Sequence, residues 1–123
     1  MKFARIVFYI AAVYGLLSVP PLYFMFDLIG RRDPPPITHP QFYYGFVGVA
    51  LAWQIAFLII GSNPVRFRVL MIPSVIEKLS YVSAVAALHA QERVTNQQAF
   101  SALPDLLFLV LFVFAFVKTP KPG

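Results

Sequence analysis

Four long apolar stretches constrain this chain more than any other feature of its sequence. They cover residues 6–28, 42–61, 71–91 and 99–117, and each has close to the roughly 20 apolar residues with which an α-helix crosses a bilayer. In lipid an unpaired strand cannot satisfy its backbone hydrogen bonds, so the Phe- and Val-rich last stretch is also expected to be helical. The sequence therefore predicts an all-α fold, a four-helix transmembrane bundle that forms one integral membrane domain over residues 1–123.

The composition supports a lipid environment and argues against several functions. Only 12% of the residues are charged, about half of the roughly 25% that is usual in soluble domains. The net charge of +5 comes from basic residues that lie in pairs between the apolar stretches, so no single patch for nucleic acid is expected. The chain has no cysteine, which excludes disulfides and thiolate metal sites. Phosphate-loop and common hydrolase motifs are absent.

The basic residues also predict the orientation of the bundle. Four spans place both termini on one side of the membrane, and that side carries Lys2, Arg5, Arg66, Arg68, Lys118 and Lys121. The other side carries three arginines and two carboxylates, namely Arg31, Arg32, Arg93, Asp33 and Glu92. Because cytoplasmic connections are enriched in Lys and Arg, we expect both termini in the cytoplasm. The expected location is a bacterial cytoplasmic membrane.

The first stretch contains two consecutive prolines, Pro20 and Pro21. Proline has no backbone N–H and pushes the preceding residue away from helical angles, so the first helix is expected to be kinked there. The kink can be a packing feature, or it can be an unwound segment that lines a ligand.

The third stretch carries two adjacent charged residues, Glu77 and Lys78. Ionisable residues inside a span are functional candidates by default. Adjacent helical positions point about 100° apart, so we expect the two side chains to have separate partners. Glu77 is predicted to face the bundle near Gln54 and Tyr81, while Lys78 extends to the lipid head groups. In the alternative, the helix starts at Pro73 and both charges lie in the interface.

A short basic segment precedes the third stretch. Arg66 and Arg68 flank Phe67, an alternation that favours an interfacial segment whose arginines bind lipid head groups together with Lys78. The alternative is that the two arginines only determine topology.

Four potential metal ligands are expected near the external membrane face, one at the end of each span. They are Asp27, His39, His89 and Asp105. Histidine and carboxylate are metal-ligand types, but no two of these residues have a motif spacing. Each also has an ordinary role, as a helix-end residue, a loop residue or a partner in a surface ion pair.

Small residues recur every fourth position in the second and third stretches, a pattern that lets helices approach closely. The stripes are Gly48, Ala52 and Ala56, then Ser80 and Ala84, then Ser83 and Ala87.

Residues 39–54, 63–81 and 105–116 resemble a group of short bacterial four-span membrane proteins to which no function is attached. In size and span layout the chain is also similar to the DoxX-like and BphX-like membrane proteins. The resemblance implies a four-helix membrane bundle, and some DoxX-like proteins act beside redox partners. No catalytic motif carries over to a position in this sequence.

Three functions remain open. The first is a non-catalytic accessory or partner subunit of a membrane assembly, which contacts other subunits or itself. The second is a binder or carrier of a small lipophilic ligand, a lipid or a quinone, lined by Pro20, Pro21, Trp53, Gln54, Glu77 and Tyr81. The third is a membrane enzyme that uses the external His and Asp groups. The sequence identifies no cofactor.

Overall fold

The computed structural model describes residues 2–122, and the regular structure of this part of the chain is entirely helical. The α-helices are α1 (Lys2–Ser18), α2 (Phe26–Arg32), α3 (Pro40–Ser62), α4 (Met71–Ala90), α5 (Asn96–Phe100) and α6 (Leu103–Lys118). Two 3₁₀ helices, Pro20–Phe24 and Arg68–Leu70, lie after α1 and before α4.

Four helical segments are long and apolar enough to cross a membrane by length and composition. They are span 1 (Lys2–Phe24), span 2 (Pro40–Ser62), span 3 (Arg68–Ala90) and span 4 (Asn96–Lys118). Each has 23 residues and is therefore about 34 Å long if helical throughout, enough for a hydrocarbon core of about 30 Å. The predicted all-α fold with four apolar spans is confirmed.

The helices pack unevenly around the bundle. α1 contacts both α3 and α6, and α6 contacts α4, whereas α3 and α4 hardly touch. The order around the bundle is therefore α3, α1, α6 and α4, with an open side between α3 and α4. This open side positions the candidate site.

Three aromatic rings fill the centre of the core. Phe8 of α1 stacks on Phe112 of α6 with ring centroids 4.3 Å apart. Phe57 of α3 lies 5.9 Å from Phe8 and 5.0 Å from Phe112. All three side chains are fully buried, and such pairs add about 0.5–1.5 kcal/mol each beyond the burial of their area. The cluster joins spans 1, 2 and 4.

Span 1 changes helix type at its prolines. α1 ends at Ser18, whose hydroxyl donates a hydrogen bond of 2.7 Å to the carbonyl oxygen of Tyr14. The following 3₁₀ helix is held from α3, because the Tyr43 hydroxyl donates to the Leu22 carbonyl oxygen at 2.6 Å. The bend expected at the two prolines stays a prediction.

The close approach of α1 and α3 depends on one glycine. Gln54 of α3 is 4% exposed, and its side chain occupies the space that a Cβ atom at Gly15 of α1 would need. The Gln54 amide donates to the Ala50 carbonyl oxygen at 2.7 Å, so the partner that this buried amide requires lies in its own helix.

Substitution of Gly15 by Ala is expected to destabilise the bundle by about 1–3 kcal/mol, because the added methyl group displaces a packed side chain. In a Gln54→Ala background the same substitution costs less, and a double-mutant cycle should give a coupling of about 0.5–3 kcal/mol. Unfolding in detergent measures both quantities. Gly45→Ala is the control, since a Cβ atom at Gly45 meets no atom within 4 Å. If the losses in free energy of unfolding caused by Gly15→Ala and Gln54→Ala were additive, the proposed packing of Gln54 against Gly15 would be contradicted.

Candidate functional site

Three charged side chains from two helices meet near the middle of spans 3 and 4. Lys78 of α4 places its Nζ atom 2.9 Å from Oδ1 of Asp105 and 3.6 Å from Oε2 of Glu77. Asp105 lies in the first turn of α6, just after Pro104, where the helix N-terminus favours a carboxylate. The Lys78 side chain is 8% exposed, against 25% for Glu77 and 27% for Asp105. The ammonium group is thus the most buried member of the cluster.

The Lys78 ammonium also lies against the aromatic core. It is 5.4 Å from the ring centroid of Phe57 and 5.8 Å from that of Phe108, within the range of cation–π attraction. Lys78 therefore links span 3 to residues of spans 2 and 4.

This placement corrects two sequence predictions. Lys78 does not extend to the lipid head groups, because Asp105 supplies a carboxylate at the same depth and pairing reduces the cost of burying the charge. Glu77 and Lys78 do not have separate partners either, since both side chains turn toward each other. The alternative with both charges in the interface is not supported, because span 3 begins at Arg68 and places them near its midpoint.

A groove of about 550 Å³ occupies the open side between α3 and α4. Its lining is mostly apolar and consists of Gln41, Phe42, Gly45, Phe46, Val49 and Ala50 from α3 with Glu77, Ser80 and Tyr81 from α4. Glu77 is the one charged residue in this lining.

The Glu77 carboxylate is incompletely satisfied. Its Oε2 atom is buried, and no group in residues 2–122 donates a hydrogen bond to it; Lys78 Nζ at 3.6 Å is its nearest cation. Since Lys78 already donates to Asp105 at 2.9 Å, two carboxylates share one ammonium. Buried carboxylate oxygens are costly without donors, so the cluster favours a further donor or cation at Glu77. The Glu77 side chain is 25% exposed and is part of the groove lining.

Two of the six predicted ligand-binding residues come together at the groove. They are Glu77 and Tyr81, and the Tyr81 hydroxyl also lies 3.3 Å from Ser101 Oγ. Gln54 instead faces Gly15. Trp53 packs against Phe57, with ring centroids 6.1 Å apart.

The other two members, Pro20 and Pro21, begin the 3₁₀ helix after α1. They are not among the residues that line the groove.

The structure does not bring the four potential metal ligands together. Within residues 2–122, no group of three or more His, Asp and Glu residues could hold a metal ion. His39 Nδ1 lies 3.0 Å from the Thr38 hydroxyl, and His89 Nε2 lies 2.6 Å from Asn96 Oδ1. Asp105 pairs with Lys78, and Asp27 is an exposed residue in the first turn of α2.

The sequence predictions missed Asp105 as the partner of Lys78. A signal for it lies in Thr95 and Gln98, which have the spacing of a capping box. The structure contains this capping box, and it starts span 4 at Asn96. A span that starts there places Asp105 near its middle, level with Lys78 in the antiparallel neighbour. Gly45, which leaves room for the groove, was also missed.

Searches with protein-family models, curated proteins and solved structures found no match to this chain. Its class follows from the four apolar spans, which are those of an integral membrane protein.

Asp105→Asn is expected to lower the free energy of unfolding by about 3 kcal/mol, because it leaves the buried Lys78 ammonium without its closest counter-charge. Thermal or denaturant unfolding in detergent measures this loss. Lys78→Met combined with Asp105→Leu and Glu77→Leu should recover most of it, since apolar side chains often replace buried ionic clusters without loss. The control is Asp27→Asn at an exposed site, with an expected change within about 0.5 kcal/mol. Wild-type stability of Asp105→Asn would show that Glu77 is a sufficient partner.

Proposed function

We propose that this integral membrane protein binds or carries a small lipophilic molecule in the groove between α3 and α4. The observation that carries the proposal is the Glu77 carboxylate, which lines an otherwise mostly apolar groove and whose buried oxygen receives no hydrogen bond from residues 2–122. Small-molecule sites commonly combine an apolar lining with a few polar groups that fix orientation.

The dimensions of the groove suit a compact ligand. Its volume of about 550 Å³ lies within the roughly 300–1,000 Å³ that is usual for ligand pockets. Phe42, Phe46 and Val49 supply apolar surface from α3, and Tyr81 closes the other wall from α4. Because α3 and α4 hardly touch, the groove opens sideways, and a molecule dissolved in the bilayer enters without crossing water.

The charge arrangement defines the head of the ligand. Lys78 balances one of the two carboxylates near it, so the remaining requirement is a hydrogen-bond donor or a positive charge at Glu77. A quinol hydroxyl or a lipophilic amine meets this requirement, whereas a carboxylate head would repel Glu77.

Three probes that carry an alkyl chain of about ten carbons test this function by thermal unfolding in neutral detergent. Decylubiquinol or decylamine is expected to raise the Tm of the wild-type protein, because ligands that bind only the folded state stabilise it; decanoate should not. Glu77→Gln should reduce the shift by removing the charge. Gly45→Leu should abolish it by filling the groove, since the side chain at position 45 projects into open space.

Two matched variants serve as controls. Glu92→Gln removes a carboxylate far from the groove, and Gly45→Ala adds only a methyl group where no atom lies within 4 Å. Both should keep the wild-type response. A wild-type protein that responds to neither donor probe, or a Gly45→Leu variant with an unchanged response, would contradict the proposal.

A second candidate, the accessory subunit of a membrane assembly, is supported by the outer face of α4. Ser83, Ala84 and Ala87 are exposed there, and small residues allow close approach of a further helix. Purification in a mild detergent tests this candidate. A partner polypeptide in fixed ratio that is lost on Ala87→Leu, with an unchanged probe response, would favour it.

A further inference from the structure

We infer that the end of the bundle that carries both termini holds an anionic phospholipid, whose phosphate group binds at Arg68. This inference is independent of the groove and of its ligand.

Arg68 is a preorganised cation. Its Nε atom donates to the Thr119 carbonyl oxygen at 2.8 Å, and its guanidinium carbon lies 3.9 Å from the ring centroid of Phe116. These contacts fix the plane of the group, yet the Nη atoms donate no hydrogen bond to any of residues 2–122. A fixed guanidinium with free donors matches the bidentate geometry of phosphate oxygens.

The charged side chains around Arg68 all have the same sign. Arg66 is two residues from Arg68 in sequence, and its guanidinium carbon lies 5.3 Å from the ring centroid of Phe67. Lys118 precedes Thr119 at the end of α6, and its Nζ atom lies 4.6 Å from the ring centroid of Phe3. All five carboxylate side chains of the chain lie at the opposite end or in the middle of the spans: Asp27, Asp33, Glu77, Glu92 and Asp105. The cations at this end are therefore paired with no carboxylate side chain, and the field favours an anion.

The apolar surface next to Arg68 distinguishes a phospholipid from a soluble phosphate. Val69, which follows Arg68 in sequence, is 68% exposed. Val117 of α6, which follows Phe116, is 72% exposed. Acyl chains cover these side chains when the phosphate is at Arg68. The site thus combines a head-group anchor with a surface for lipid tails.

The experiment compares phosphatidylglycerol with phosphatidylcholine of the same acyl chains, added to delipidated protein in neutral detergent. Native mass spectrometry counts the lipids bound to each folded protein molecule. Unfolded protein is excluded from the count, so variants of different stability can be compared. Wild-type protein is expected to retain phosphatidylglycerol preferentially, and Arg68→Gln to lower that preference roughly tenfold, the effect of one charged hydrogen-bonded contact. Arg93→Gln, at the other end of the bundle, is the matched control and should keep it.

Two further arms make the result decisive. Arg68→Lys keeps the charge but loses the planar fork, and should bind less tightly than wild type; this variant also serves if Arg68→Gln does not fold. Glycerol 1-phosphate, the head group without acyl chains, should not compete at equal concentration. Equal retention of both lipids, an unchanged preference in both Arg68 variants, an equal loss in Arg93→Gln, or full competition by glycerol 1-phosphate would each overturn the inference.

Discussion

The ion pair between Lys78 and Asp105 determines how the third span joins the bundle. Spans 1, 2 and 4 share the aromatic cluster of Phe8, Phe57 and Phe112, but α4 hardly touches α3. Span 3 is attached through α6, with a buried ammonium 2.9 Å from a carboxylate and within 6 Å of two ring faces. In lipid, apolar side chains gain little by leaving their surroundings, so packing and polar contacts must specify helix association. Lys78 supplies such a contact.

The same attachment leaves one side of the bundle open. Because α4 is anchored to α6, its other flank is not required to close against α3, and a groove remains there. Glu77 adjoins Lys78 in sequence, so it follows Lys78 to the edge of this groove and competes with Asp105 for one ammonium. The charge cluster that fixes the fold thus also gives the groove its single charged residue.

The sequence predicts the fold better than it predicts the site. Four apolar runs of bilayer length leave the backbone no alternative to helices. Side-chain partners depend on which helices are neighbours, and neither hydropathy nor charge order determines this. The sequence favours a position for Gln54 near Glu77, yet Gly15 of span 1 offers the space that Gln54 fills. The sequence favours a Lys78 side chain that reaches the surface, since nothing in its own stretch shows that Asp105 lies at equal depth in another span.

The buried ion pair also implies an order of assembly. Spans 1 and 2 are neighbours in sequence and in space, so their contact, including the fit of Gln54 against Gly15, requires no residue of spans 3 and 4. Span 3 enters the membrane with a lysine that costs about 2.5–3.5 kcal/mol at the centre of a lone helix. Its counter-charge arrives only with residue 105. The ion pair therefore favours assembly of spans 3 and 4 as one hairpin, which then docks on the hairpin of spans 1 and 2.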